Sequence, residues 1–542
     1  LGSFDVSKFI SPHELRRMIG DRGDSLGELA LVDVREELIF SQSHLLLARS
    51  VPLSRFELRF PALVPRHGTR IVLCDDNDGL ATRAAAILAR NGYTDVALLE
   101  GGVPGWGAAG SELFSGVYVP SKAFGEYVEH TDDTPNITAP ELERLIREGA
   151  DLVVLDSRPF DEYSRVSIPT STNVPGAELV LRARQIAPSP ATTVVVNCAG
   201  RTRSIIGAQS LINAGLPNKV MALRNGTMGW SLAGFTPDSG KNRRAPEASS
   251  QTLDWARNAA WRVAESCGVR RVDPTTLDAW RKDDQRTLYV LDVRDPAEYE
   301  AGHVPGSISA PGGQLVQATD QYVGTFGARI VLIDDLEVRA AMTGSWLRQM
   351  GYADVFVLAA KGAETGWPSP PMLQAETVPE DSAIDCIGLA ALLARNEATV
   401  IDLSMSRDYL REHIPGAWFA IRTRLDRAFK TIPQNGTIVL TSEDGELARF
   451  AVAEARALTD EPVRFLVGGN AAWRDAGQPV SADAKMADET VDQWRKPYER
   501  SGNTKAMMQE YLDWEVDLLP RVKRDGTLQF DRFRPRLREE AR

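Results

Sequence analysis

The chain has 542 residues, 43% of them hydrophobic and 25% charged, a length that exceeds one hydrophobic core and a composition that excludes disorder as the default. Its net charge of −12 excludes a broad basic surface for nucleic acid, while leaving room for a local basic pocket that takes a small anion. Four scattered cysteines, Cys74, Cys198, Cys267 and Cys386, exclude a disulfide scaffold and a paired-cysteine zinc site, and they fit a reducing compartment.

The opening residues, Leu1-Gly2-Ser3 onward, lack the basic and apolar regions of a signal peptide. No run of about 18 apolar residues suggests a membrane span. A cytoplasmic protein with no membrane partner is expected.

Along the chain one pattern recurs. Leu31-Val32-Asp33-Val34-Arg35 reads as a buried strand ending in an acid, and so do Val154-Leu155-Asp156-Ser157-Arg158, Val290-Leu291-Asp292-Val293-Arg294 and Val400-Ile401-Asp402-Leu403-Ser404. Acid-Tyr pairs follow in three copies (Glu162-Tyr163, Glu298-Tyr299, Asp408-Tyr409), and His-x-Pro-Gly in two, at His303 and His413. A second apolar strand, a helical stretch, a third strand and a closing Trp complete each copy, the last at Trp106, Trp230, Trp367 and Trp473. From the first Asp to the position just past the second strand is 42, 42, 42 and 40 residues, and from there to the Trp is 31, 32, 33 and 31. Such regularity marks a tandem repeat, and its strand–helix alternation implies parallel sheets flanked by helices.

The units span 1–115, 130–238, 268–372 and 380–482. The linker 239–267 begins polar and turns helix-like through Trp255 and Trp261. The C-terminal extension 483–542, with Trp494, Tyr498, Tyr511 and Trp514, is expected to be helical and docked, because its aromatics are costly to leave in water.

The slot after each second strand lies at the carboxyl edge of the sheet, where open α/β folds place ligands. It holds Asp75, Cys198, Asp334 and Ser442, and five residues later come Leu80, Arg203, Arg339 and Leu447. Only the second unit combines a nucleophile with an arginine. In Cys198-Ala199-Gly200-Arg201-Thr202-Arg203-Ser204, backbone N–H groups and a helix expected to start near Ser204 converge on one point. Arg201 and Arg203 add charge, and Gly200 is expected to supply a conformation that other residues resist. The surroundings favour a thiolate and hold an anion.

Together these motifs resemble the rhodanese (thiosulfate sulfurtransferase) domain family, over nearly all of residues 1–482. The resemblance implies four tandem rhodanese-like α/β domains. It also implies a Cys thiolate that takes sulfane sulfur from thiosulfate, releases sulfite, and passes sulfur from a persulfide to cyanide or a thiol. By position Cys198 is the sulfur carrier, Ala199, Gly200, Arg201, Thr202, Arg203 and Ser204 form the substrate cradle, and Asp156 and Arg158 brace the loop. No cofactor or metal is implied. A loop of Cys plus five residues before the helix is the sulfur-handling length, one shorter than in related phosphatases.

Units one, three and four lack the slot cysteine, and Asp75, Asp76, Asp78, Asp334 and Asp335 repel thiosulfate. These units are expected to be inactive, structural or partner-binding. Cys74 reads as structural, because its neighbours Asp75 and Asp76 disfavour a thiolate; Cys267 and Cys386 read as packing residues. His303 and His413 read as turn stabilisers, Arg201 as an exposed recruiter of substrate, and the four Trp residues as core plugs. Arg339 is a weak candidate for anion binding. The alternatives are a persulfide relay between protein partners, a binding scaffold without chemistry, and a phosphatase.

Overall fold

The computed structural model describes residues 8–20, 27–374 and 378–532; the expected beginning of the first unit and end of the C-terminal extension lie outside them. Each unit folds around a mainly parallel sheet of β-branched and leucine-rich strands, buried on both faces as the apolar runs require. In the second unit the order is Asn136–Ile137, Val220–Leu223, Thr193–Asn197, Leu152–Asp156, Thr172–Asn173, all parallel. The other units repeat this order. Two borrow a strand from elsewhere: Thr325–Phe326 of the third unit pairs antiparallel with Leu29–Asp33, and Lys485–Met486 of the C-terminal extension pairs with Trp418–Phe419.

The units are packed together rather than strung out. One apolar cluster joins the second and third units through Trp261 and Ala260 of the linker helix Ser250–Ser266. The fourth unit meets the first where Arg422 donates to both carboxylate oxygens of Glu57, at 2.7 and 2.9 Å. A second linker helix, Val119–Asp132, packs between the nucleophile-bearing unit and the C-terminal helix Thr504–Asp525. The extension is thus helical and docked: Trp514 Nε1 donates to the Ser115 carbonyl at 3.1 Å.

The missing His-x-Pro-Gly of the second unit costs it little. Tyr163 donates its hydroxyl to the Ser171 carbonyl at 2.9 Å, as Tyr299 does to Ser307 at 2.6 Å, and Ser167 bridges to Asp238 as His303 does to Glu364. His303 and His413 stack on Tyr299 and Tyr409 with centroids 4.1 and 4.0 Å apart, which keeps both imidazoles in the turn. The first unit has the same pair in disguise, Phe40 stacked on His44 at 3.9 Å.

Trp367 corrects one expectation. Trp106, Trp230 and Trp473 are buried, but Trp367 is 56% exposed, and the third unit has no helix after its strand Asp354–Leu358. The other three make that turn through two successive left-handed residues: Gly101-Gly102, Asn225-Gly226 and Gly468-Gly469. The third offers Ala359-Ala360-Lys361, whose side chains resist that conformation, so the helix is not launched.

Candidate active site

The strand Thr193–Asn197 runs through the middle of its sheet and delivers Cys198 at the carboxyl edge. Its last residue is held from the side: Asn197 Nδ2 donates to Asp156 Oδ2 at 2.8 Å. Asp156 in turn receives Arg158 through Nε at 2.8 Å and Nη2 at 2.7 Å, and Arg158 Nη2 reaches the Val166 carbonyl at 2.6 Å. All three side chains are buried, so the pairing is little screened. The Cys198 carbonyl takes the Thr227 N–H at 2.9 Å, and that of Ala199 takes the Met228 N–H at 3.0 Å.

The helix that follows spans Thr202–Asn213, two residues earlier than the spacing suggests. Thr202, Arg203 and Ser204 therefore form its first turn, where N–H groups lack intrahelical acceptors. With only three residues between Cys198 and the helix, counting residues does not separate sulfur from phosphate chemistry. Cys198 is 2% exposed and its Sγ lies 3.5 Å from Ser204 Oγ, which donates to the Arg201 carbonyl at 2.8 Å.

Both loop arginines are committed to carboxylates. Arg201 is not an exposed recruiter: its Nε and Nη2 donate to Glu126 at 2.6 and 2.7 Å, and Glu129 adds a second carboxylate. Arg203 Nη2 donates to Glu162 at 2.9 Å and its Nη1 to Gln314 of the third unit, also at 2.9 Å. Burial pushes the Glu162 carboxyl up, but Arg203 and Lys496 outweigh it and hold the group well below the usual carboxylate range. Gly200 does not adopt a left-handed conformation. A Cβ there would lie 2.9 Å from Met228 Cε and 3.0 Å from Glu515 Oε2, both ends of flexible side chains that would have to shift.

A cavity of about 40 Å³ opens beside Cys198, walled by the loop, by Tyr118 and Lys122 of the linker, and by Lys496, Tyr498 and Tyr511 of the C-terminal extension. Lys122 Nζ pairs with Glu515 at 2.8 Å; burial works against its charge, but Glu515 and Tyr511 lift it above the usual lysine range. Lys496 Nζ lies 3.2 Å from Glu162. Sequence reasoning assigned none of these residues to the site, though it named Tyr498 and Tyr511 as docked aromatics. The density of aromatics in an otherwise polar extension was the available signal, and it pointed to docking without saying where.

The sister slots show what the loop holds. The Asp75 carboxylate accepts the N–H groups of Asn77, Gly79 and Ala81 at 2.9, 3.1 and 2.9 Å. That of Asp334 accepts those of Leu336, Arg339 and Ala340 at 3.1, 2.7 and 3.2 Å, together with Arg339 Nε at 3.0 Å. In the fourth unit Ser442 Oγ takes the Ala448 N–H at 3.3 Å. In the second unit the equivalent donors are on Gly200, Thr202, Arg203 and Ser204, and nothing among the described residues accepts their N–H groups. Cys74 stands one residue before its slot and is fully buried; burial, with Asp33 adding to it, pushes its thiol well up. Among the described residues no group of three or more His, Cys, Asp or Glu side chains is placed to hold a metal, and no helix is long and apolar enough to cross a membrane.

The model of the rhodanese-like domain matches this chain four times, at residues 11–109, 138–233, 273–361 and 388–476. The chain belongs to the rhodanese family. Its fold is that of four rhodanese-like domains with a helical C-terminal region. This rhodanese is similar over 97% of its length to the whole chain of a crystal structure of thiosulfate sulfurtransferase from Pseudomonas aeruginosa, at 47% identity and a TM-score of 0.93. It is also 38% identical over 77 residues, 14% of its own length, to the uncharacterized protein YqhL of Bacillus subtilis (strain 168). The match spans 60% of that relative.

Proposed function

We propose that this rhodanese is a thiosulfate sulfurtransferase with one catalytic centre, in the second unit (130–238), and Cys198 as its sulfur carrier. The carrying observation is the contrast between slots. In the first and third units the loop N–H groups wrap carboxylate oxygens; in the second the slot residue is a thiol and the matching N–H groups have no acceptor among the described residues. The likeness to a thiosulfate sulfurtransferase along nearly the whole chain supports thiosulfate as donor.

In this reading the Cys198 thiolate attacks the outer sulfur of thiosulfate. The S–S bond breaks, its electron pair leaves on sulfite, and a Cys198 persulfide remains. Cyanide or a thiol then attacks the outer sulfur and Cys198 departs as thiolate, so no external oxidant or cofactor enters. The N–H groups of Gly200, Thr202, Arg203 and Ser204 and the start of the helix stabilise the anionic sulfur. Arg201 and Arg203 hold the loop in shape through Glu126, Glu129 and Glu162, while Asp156 and Arg158 brace its root through Asn197. The first, third and fourth units serve as inactive scaffold. A relay to a protein acceptor is less well supported, because Cys198 lies 2% exposed beneath Lys496 and Tyr498.

Mass spectrometry after thiosulfate treatment tests the reading. A gain of one sulfur is expected on Cys198 and on no other cysteine, and Cys198→Ser should abolish turnover with thiosulfate and cyanide. Sulfur on Cys74 instead, or on no cysteine, would sink it.

A further inference from the structure

The cavity at Cys198 has a larger neighbour. It measures about 310 Å³ and lies against the same loop, sharing Ala199, Met228 and Tyr498 as common walls. Its apolar lining includes Met228 and Met508, which pack with Leu512 in one cluster that the C-terminal helix completes. Arg165 and Glu499, on its rim, carry opposite charges 3.8 Å apart, with side chains 59% and 28% exposed. The other charged groups are already tied inward, Arg158 to Asp156 and Glu162 to Arg203 and Lys496.

We propose that this cavity is a separate acceptor site, for a small amino-acid or peptide thiol bearing both a carboxylate and an ammonium group. The inference rests on the Cys198 persulfide reading and deepens it. Arg165 takes the carboxylate and Glu499 the ammonium, in place of their long, exposed contact with each other. The methionine thioethers, polarizable and adaptable, receive the carbon and sulfur of the acceptor. A volume of this order suits a small organic ligand and exceeds what cyanide needs. The thiol end enters past Tyr498 and Ala199 toward Cys198. There the acceptor thiol hands its proton to the outer sulfur of the anionic persulfide and, as thiolate, attacks that sulfur; the S–S bond breaks, and its electron pair returns to Cys198 as thiolate. The product carries the transferred sulfur and its proton as a new persulfide, so atoms and charge balance without a co-reactant.

The test uses the full chain, loaded with thiosulfate, freed of excess donor, and mixed with glutathione, or with 2-mercaptoethanol, which lacks both charges. The readout is the rate at which the extra sulfur leaves Cys198. Arg165→Ala and Glu499→Gln should each lower the glutathione rate about tenfold relative to the 2-mercaptoethanol rate, the size expected of one charge-assisted contact. Met508→Trp, which fills the cavity, should lower the same ratio. An unchanged ratio in the two rim variants overturns the acceptor site; Arg165 is a largely exposed side chain, and Glu499→Gln keeps an oxygen for the Lys496 N–H that Glu499 accepts at 3.2 Å. Failure of the parent chain to load Cys198 overturns the persulfide reading together with the site; normal loading with an unchanged ratio overturns the site alone.

Discussion

Glu515 of the C-terminal helix is paired with Lys122 of the linker helix Val119–Asp132 at 2.8 Å, directly behind Thr202, whose hydroxyl donates to the same carboxylate at 3.4 Å. Both charged side chains are buried, and Glu515 Oε2 has no hydrogen-bond partner among the described residues. Removing one member strands the other in a low-dielectric setting. Glu515→Ala should therefore destabilise this region by about 3 kcal/mol or more, and the Lys122→Met/Glu515→Ala pair should recover much of that loss. A double-mutant cycle on thermal melts checks both values.

Gly226 has φ +54°, and a Cβ there would lie 2.3 Å from the Cys198 carbonyl oxygen and 2.8 Å from that of Gly200. Gly226→Ala must push the Cys198 loop away. We expect kcat/KM to fall by about 100-fold, as a displacement of about 1 Å at reacting atoms can cause, with a stability loss of about 1–3 kcal/mol. Steady-state kinetics beside a melt separate the two effects.

The thiols of Cys74, Cys198 and Cys267 should differ in reactivity. Burial pushes Cys74 well up and Cys267 up to about 11. At neutral pH iodoacetamide should label Cys198 far faster than either, and saturating thiosulfate should protect it. Peptide mapping over a time course checks the order; equal rates at Cys198 and Cys267 would argue for a scaffold without chemistry.

Glu36, at the contact between the first and fourth units, accepts from Ser54 at 3.1 Å and Thr423 at 3.3 Å. Burial is the main cause that lifts its carboxyl to about 7, with Asp492 adding to it against Arg55. Because the folded value lies above the unfolded one of about 4.3, its contribution is full below that pH and is lost as pH rises through about 7. Between about pH 4 and 8 the wild type should lose on the order of 3 kcal/mol that Glu36→Gln does not. Melting temperatures of the two proteins across this range should diverge toward the alkaline side.

The legible part of the candidate site was the position of its thiol. Cys198 could be placed because strand pattern and repeat spacing are local, and three sister slots made the exception visible. The helix start was harder to read. Arg201 flanks the helix without a capping side chain, whereas Ser204, the residue type favoured at a cap, sits inside the first turn and bonds back to Arg201. Trp367 misled for a similar reason: the closing Trp is present, but the left-handed pair that would launch its helix is absent.

By itself the sequence determined four repeats, their sheets, the slot and its single thiol, because burial periodicity and residue spacing act over short stretches. Only the tertiary structure decided the electrostatics around that thiol. The carboxylate partners of Arg201 come from a linker helix and one partner of Arg203 from the third unit; the cover over Cys198 comes from that linker and the C-terminal extension. Charges so distant in the chain meet only when the units pack, and their meeting turns two arginines from free cations into struts and leaves the loop's backbone N–H groups without an acceptor among the described residues.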